Sequence, residues 1–463
     1  MRALRRLVDN GRMAWSWGYL AASLVGALFV VNAFRPTRWP PLSAVSFFAA
    51  LPTAELAPWH VVWQVAATAG FAAAGAFGRW PAWVGLAVTL GAWVGLAVLY
   101  RQGKQAGALL DRTVPVARDT DLPATGRDTM WRLPRLLWPL PVPSRQVRVT
   151  RHLDYAGDGA RRHRLDVIVR RDDPPAAGAP VLVYIHGGAW VLGDKREQGL
   201  PMLYELARRG WVTVSVNYGL GPRTRWPGQV VDCKRALAWV KAHVAEHGGD
   251  PGFVAVSGGS AGGHLAALLA LTPGVVAWQP GFEDADTSVA ACVPFYGVYD
   301  CTGGGDDRGY AWALRRLLEL RVFPAHQRDD PEAYRDASPL CHVRQDAPPF
   351  LVLHGVNDTL VPVAEARRFV AALRQVSDQP VVYAELPGAQ HGFDVLPSVR
   401  GAHTVAAVVR FLAGVRAGDV TGDQTVTGGQ AVTGDQTVDG DQTVTGGQAA
   451  DGEEAAGSAG GSR

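Results

Sequence analysis

The apolar positions of this chain fall into two regimes. Up to about residue 100 they form long unbroken runs; from about residue 145 they come as short strand-length runs alternating with amphipathic stretches. No charged residue interrupts Met13 to Phe34, and two further uncharged runs cover Trp59 to Phe77 and Pro81 to Tyr100. Each is long enough to cross a bilayer as a helix. Trp15, Trp17, Trp59, Trp80 and Trp83 stand near the ends of these runs, where amphipathic rings favour the interface. Gly91 and Gly95 have GxxxG spacing, read here as ordinary helix packing. The stretch Leu42 to Leu56 is apolar but holds Pro52 and Glu55, so it reads as interfacial or re-entrant. The pattern predicts a multi-pass membrane domain over residues 1–102 with about three spans. Even if the first run were a cleaved signal, two spans would remain. Arg2, Arg5, Arg6 and Arg12 favour one orientation, whereas Arg101, Lys104, Arg112 and Arg118 favour the other, so both sides stay open for the rest of the chain.

Residues 103–144 read as a Pro-rich connector, with Pro134, Pro139, Pro141 and Pro143 blocking regular structure. Its apolar patch Leu136 to Leu140 is expected to pack on the core or the membrane surface. At the other end, Val-Thr-Gly-Asp-Gln-Thr recurs with a period of six between Val420 and Ala455. Stacked turns need something to bury, and no Leu, Ile or aromatic follows Leu412, so residues 416–463 are predicted to be a disordered tail.

Between them, residues 145–415 predict one globular domain. Gln146 to Leu153 and His163 to Val169 flank Gly157-Asp158-Gly159 and predict a hairpin. Apolar runs at Val181 to Ile185, Trp211 to Val216, Gly252 to Val256, Ala290 to Phe295, Phe350 to His354 and Val381 to Leu386 predict buried strands. Helical periodicity separates them, at Leu200 to Arg209, Val230 to His247, Ala261 to Leu271, Ala311 to Leu320 and Ala364 to Gln375, and recurs at Ala402 to Leu412. Such alternation implies an α/β fold with a mostly parallel sheet and helices on both faces.

Composition narrows the partners. The formal net charge of +3 over 463 residues, with basic residues scattered among acids, argues against nucleic acid. Cys233, Cys292, Cys301 and Cys341 have no metal-ligand or CxxC spacing. They read as free thiols, with Cys292 to Cys301 the pair to expect if the domain is exported. No metal or cofactor is called for.

The chemistry lies at the carboxyl ends of the predicted strands, where such sheets gather reactive groups. Gly258-Gly259-Ser260-Ala261-Gly262 follows a strand and precedes a helix, the setting of a nucleophile elbow. Glycines two residues either side of Ser260 remove side chains that a tight turn would not admit. His186-Gly187-Gly188-Ala189-Trp190 follows the strand Val181 to Ile185. The Gly188 and Ala189 N–H groups, with that of Ala261, are expected to form an oxyanion hole. His186 is expected to order that loop, not to act as a base. Downstream, Asp358 lies just past the strand Phe350 to His354, and His391 follows the strand Val381 to Leu386. Ser260, Asp358 and His391 stand in the chain order this fold uses for a triad. His391 would take the proton of Ser260 and return it to the leaving alcohol, with Asp358 fixing its tautomer. Asp300 and Asp394 remain rival acids. His264, His342 and His354 read as structural.

Taken together, YIHGGAW at Tyr184 to Trp190, GGSAGGH at Gly258 to His264, HGVNDTLVPV at His354 to Val363 and GAQHGF at Gly388 to Phe393 resemble the motifs of bacterial α/β-hydrolase serine esterases. The likeness is to the hormone-sensitive-lipase-like group and to feruloyl-esterase and kynurenine-formamidase relatives, over about Val181 to Leu412. It implies a cofactor-free carboxylesterase acting on a small-molecule or lipid-like ester. Ala189 replaces a usual third glycine and Gly259 a usual acid, which leans toward the formamidase-like branch. Amide or formamide hydrolysis, acyl transfer on the same triad, and an inactive membrane scaffold are the alternatives.

Overall fold

The computed structural model describes residues 2–114, 145–171 and 177–420. The Pro-rich patch at Leu136 to Leu140 and the hexad tail lie outside the described residues. The apolar first part folds into four helices, α1 (Arg2–Phe34), α2 (Pro40–Glu55), α3 (Ala57–Ala73) and α4 (Trp80–Thr113). Proline stands in the first turn of α2, α3 and α4, where its missing N–H costs nothing and its fixed φ suits the helix. Two of the helices, over Asn10–Phe34 and Trp80–Thr113, are long and apolar enough to cross a membrane. The run expected to span at Trp59 to Phe77 forms a shorter helix: α3 has 17 residues and gives way to a 3-10 turn at Ala76–Gly78. The stretch expected to be interfacial is the helix α2. Residues 103–113, expected to open the connector, instead continue α4 without a break.

The directions of these helices follow from their contacts. Gly85 of α4 lies against Leu20 of α1, and Gly95 against Val30, so α1 and α4 run parallel. Gly18 of α1 lies against Phe71 of α3 and Gly26 against Gln64, so α3 runs antiparallel to α1.

The second part is built on strands β1 (Val147–Asp154), β2 (Arg164–Arg170), β3 (Ala179–Ile185), β4 (Val212–Val216), β5 (Gly249–Gly259), β6 (Ala291–Phe295), β7 (Phe350–Gly355) and β8 (Val381–Leu386). They form one sheet in the order β1-β2-β4-β3-β5-β6-β7-β8. β1 and β2 pair antiparallel as the expected hairpin, β2 also pairs antiparallel with β4, and every later pairing is parallel. Helices α5 (Leu200–Arg208), α6 (Gly228–His243), α7 (Ala261–Leu271), α8 (Arg308–Leu317), α9 (Pro331–Asp336), α10 (Val363–Val376) and α11 (Val399–Ala417) complete the fold. The short α9 has no periodic signal to give it away; its stability comes from the Asp330 side chain, which accepts from the Ala333 N–H.

β3, β4, β6 and β7 are buried throughout, which is why they appear in the sequence as continuous apolar runs. Side chains alternate between two cores, one on each face of the sheet. Val181 and Val183 enter one core with Leu265 and Phe369; Leu182 and Tyr184 enter the other with Phe411 and Leu412. The second core also contains Ala106, Leu110 and Val114, so the end of α4 is a core element of the sheet domain and not a tether to it. All four cysteines are free thiols, Cys341 exposed and the others buried, so Cys292 and Cys301 form no disulfide.

Candidate active site

The centre of the sheet sets the first group. β5 ends at Gly259 and α7 begins at Ala261, leaving Ser260 alone at the apex with φ 57 and ψ −121. A non-glycine residue pays strain of about 1–3 kcal/mol for such a conformation, and it persists because the surroundings fix it. The Ser260 N–H donates to the Phe295 carbonyl at 3.0 Å, and its own carbonyl accepts from His264 N–H at 2.9 Å. The flanking glycines are required by contact: a Cβ on Gly262 would stand 2.0 Å from the Ile185 oxygen, and one on Gly258 would stand 2.4 Å from the Gly262 oxygen.

The loop after β3 lies directly against this apex. A Cβ at Gly187 would meet the Ser260 Cβ at 3.1 Å. Gly188, Ala189 and Trp190 all have positive φ, which turns successive amides toward one side. The Gly187 N–H is satisfied by Gln198 Oε1 at 2.8 Å. Among the described residues no chain group accepts from the Gly188, Ala189 or Ala261 amides. His186 stacks on Tyr218 with ring centroids 4.6 Å apart, and its Nδ1 pairs with the Gly187 carbonyl at 2.7 Å. Burial pulls its pKa down to about 4, so it is a neutral ring that orders the loop.

Past β7, Asp358 is completely buried. Its Oδ1 accepts from the Leu360 and Val361 N–H groups, both at 2.8 Å, and its Oδ2 accepts from His391 Nδ1 at 2.7 Å. His354 Nε2 lies 3.3 Å from the same Oδ2. Burial alone would raise this carboxyl, but the charge of His391 and the bonds from His354 and His391 outweigh it and hold the group well below the usual carboxylate range. Neither rival acid takes that place. Asp300 pairs with Arg368 at 3.2 Å and caps the turn at Thr302 and Gly304. Asp394 accepts the hydroxyl proton of Tyr296, and burial pushes its carboxyl up.

Several groups at the site carried little or no sequence signal. Tyr296, at φ 36, lays its ring 4.5 Å from His391, while a Cβ on Gly259 would meet its hydroxyl at 2.8 Å; it therefore bridges the elbow and the histidine loop. Gln390 Oε1 accepts from both Thr359 N–H (2.8 Å) and His391 N–H (2.9 Å), tying the acid loop to the histidine loop. The first part of the chain contributes as well. Arg38 donates to the carbonyls of Asp358 (3.3 Å) and Val356 (2.9 Å). Glu55 forms a buried ion pair with Arg400, whose other nitrogen donates to Pro387 at the start of the histidine loop. The signal for Glu55 was a lone acid in an apolar stretch; Arg38 had none.

That ion pair carries a stability prediction. Arg400→Met leaves the Glu55 carboxylate buried and unpaired, which is expected to cost about 3–5 kcal/mol. The fall in thermal midpoint should be largely recovered in Glu55→Gln/Arg400→Met, where no charge remains; an unchanged midpoint in the single variant would contradict the contact.

The BD-FAE family model matches residues 165–373, a range that includes the loop after β3, the turn at Ser260 and Asp358. The probable carboxylic ester hydrolase LipM of Mycobacterium tuberculosis is 49% identical over 335 residues, covering 70% of this chain and 77% of LipM. The chain belongs to this family of carboxylic ester hydrolases. Esterase LipQ of the same organism is 42% identical over 313 residues, covering 66% of this chain and 72% of LipQ. A truncated carbohydrate esterase from gut microbiota superposes with a TM-score of 0.50 at 22% identity, over 60% of this chain and 100% of that one, which is a likeness of fold. For this hydrolase family a serine acyl-enzyme is the general route.

Proposed function

We propose that the chain hydrolyses carboxylic esters through an acyl-enzyme on Ser260. The observation that carries this reading is the 2.7 Å bond from His391 Nδ1 to an Asp358 carboxylate whose other oxygen is already held by two backbone amides. With Nδ1 committed as a donor, Nε2 is the free basic nitrogen. It accepts the Ser260 proton as Oγ attacks the ester carbonyl. The developing oxyanion is held by the Gly188, Ala189 and Ala261 amides, aided by the N-terminus of α7. Collapse expels the alcohol, which takes the proton from His391. Water, deprotonated by the same nitrogen, then releases the acid and regenerates Ser260. An alkyl fluorophosphonate added to the full chain should label one peptide, that containing Ser260. Labelling elsewhere, or none, overturns the assignment.

We further read residues 1–102 as a multi-pass membrane domain and residues 145–415 as the catalytic domain. α1 and α4 run parallel, so if both cross a bilayer the chain must return between them. α3 is the returning element, and its 17 residues rise about 25 Å, close to the thickness of a hydrocarbon core. Exposed Trp15 and Trp17, near the start of the apolar stretch of α1, gather with Trp80 and Trp83 at the start of α4, the Trp17 and Trp80 ring centroids 5.5 Å apart, as an interfacial belt would. On this reading of three crossings, the catalytic domain would lie on the side opposite the amino terminus.

A further inference from the structure

The helix α2 has two faces with different surroundings. One face rests on the loops that hold the acid and the base. The Phe47 ring lies 6.0 Å from the His391 imidazole, edge to face at 76°. Phe47 and Leu51 both border Gly392, and the Ser43 carbonyl accepts the Thr359 hydroxyl at 3.3 Å. The other face presents Leu42, Val45 and Phe48, a row at three-residue spacing on the first turns, with Val45 65% and Phe48 73% exposed. Exposed Trp39 precedes the helix. A continuous row of large apolar side chains on a short helix is not what a water-facing surface carries.

The level of α2 along the bundle is also defined. It follows the end of α1 after five residues, and Ser46 is hydrogen-bonded to Asn32 at 2.7 Å. Asn357, one residue before the triad acid, donates to the Ala33 carbonyl at 3.1 Å. Ala50 and Ala54 of α2 pack with Val30 of α1 and with Leu96 and Leu99 of α4. The end of the first span, the helix α2 and the triad loops therefore lie at one height, where α4 passes from the apolar bundle into the core of the sheet domain.

We propose that α2 lies in the interfacial layer of the bilayer and forms one wall of the mouth leading to Ser260. The substrate is then a long-chain acyl ester dissolved in the leaflet and drawn in laterally past Phe47 and Leu51. This rests on the serine-esterase reading and adds a substrate class to it. An acyl chain travelling that way keeps its methylenes out of water from leaflet to nucleophile, while the polar ester head meets the Gly188, Ala189 and Ala261 amides. The outward residues touch lipid, not substrate.

The test uses the full chain in nanodiscs of ether-linked phosphatidylcholine, which offers no ester of its own. Two substrates are compared: water-soluble 4-nitrophenyl acetate and bilayer-resident 4-methylumbelliferyl oleate. Leu42→Glu/Val45→Glu is expected to lower turnover of the oleate ester about tenfold or more and that of the acetate by no more than about twofold. Rates on both substrates that stay at the wild-type level, or that fall together, overturn the inference. A second measurement does not depend on those rates: in a Cys341→Ser background, which removes the exposed native thiol, Val45→Cys carrying an environment-sensitive dye should be quenched by lipid-borne nitroxides, and an unquenched dye also overturns it. Wild-type turnover that survives loss of Ser260 would remove the esterase reading and this inference with it. Ser260-dependent turnover with no difference between the two esters in the variant removes this inference alone.

Discussion

Ser260→Ala is expected to lower kcat on a carboxylic ester by about a million-fold while leaving the protein folded. The size follows from what the change removes and what it spares. Without Oγ there is no acyl-enzyme, and the base at His391 has no proton to take, so the two-step route closes entirely. The amides of Gly188, Ala189 and Ala261 and the rest of the site remain, and these should support a residual rate about a thousand- to ten-thousand-fold above water. KM should change little. Stability should also change little, because the substituted alanine must adopt the same φ of 57 and the backbone bonds to Phe295 and His264 do not involve the hydroxyl. Ser260→Gly sharpens the point. Glycine reaches positive φ without strain, so relief of about 1–3 kcal/mol there should match or exceed the glycine entropy cost of about 0.5–1 kcal/mol. The expected result is an inactive protein at least as stable as the wild type. Steady-state kinetics with a chromogenic ester, beside thermal melts of all three proteins, decide the matter. Appreciable turnover by Ser260→Ala, or a marked loss of stability in Ser260→Gly, would contradict a strained nucleophile.

Much of the candidate site's local geometry was legible in the chain because its parts are close in sequence. An elbow needs strand, Gly-x-Ser-x-Gly and helix in immediate succession, and the contacts at Gly258 and Gly262 show why only glycine fits there. The sheet was legible for the same reason: strands such as β3 and β7, covered on both faces, must be apolar at every position. The choice among Asp300, Asp358 and Asp394 was not local. All three follow strands, and only the long-range pairing of His391 with Asp358 separates them. Tyr296 and Gln390 escaped because their work is done across loops distant in sequence, by residue types common anywhere. The larger gap concerned the first hundred or so residues. Hydropathy marked them as membrane-seeking but is blind to what a helix end touches. It therefore missed that α4 runs on into the sheet domain's core, that Arg38 reaches the loop of Asp358, and that Glu55 pairs with the Arg400 that holds Pro387. Nor does hydropathy show that the apolar run from Trp59 to Phe77 ends its helix early, at Ala73 after 17 residues.

Asp358→Asn should lower kcat by about ten-thousand-fold with a nearly unchanged KM and a folded protein. The direction follows from the hydrogen-bond inventory around the carboxylate. Oδ1 accepts from two backbone amides, of Leu360 and Val361, and those donors cannot be satisfied by an NH2 group. An asparagine at 358 must therefore keep its oxygen there and turn its NH2 toward His391. A donor then faces Nδ1, which has to become the acceptor, and the ring's proton moves to Nε2. That nitrogen now points an N–H toward Ser260 and cannot take its proton. His354, whose Nε2 lies 3.3 Å from Oδ2, also meets a donor where it had an acceptor, but it keeps its contact with the Val361 carbonyl at 2.9 Å, so the loop should hold. Nor does the variant leave an unpaired buried charge, since the negative charge is removed along with the group that carried it. The tautomer can be read directly: two-bond nitrogen–proton couplings of His391 in labelled protein should report a protonated Nδ1 in the wild type and a protonated Nε2 in Asp358→Asn. If the variant keeps the wild-type tautomer yet loses activity, Asp358 acts through its charge alone. If it keeps both tautomer and activity, another acid serves His391.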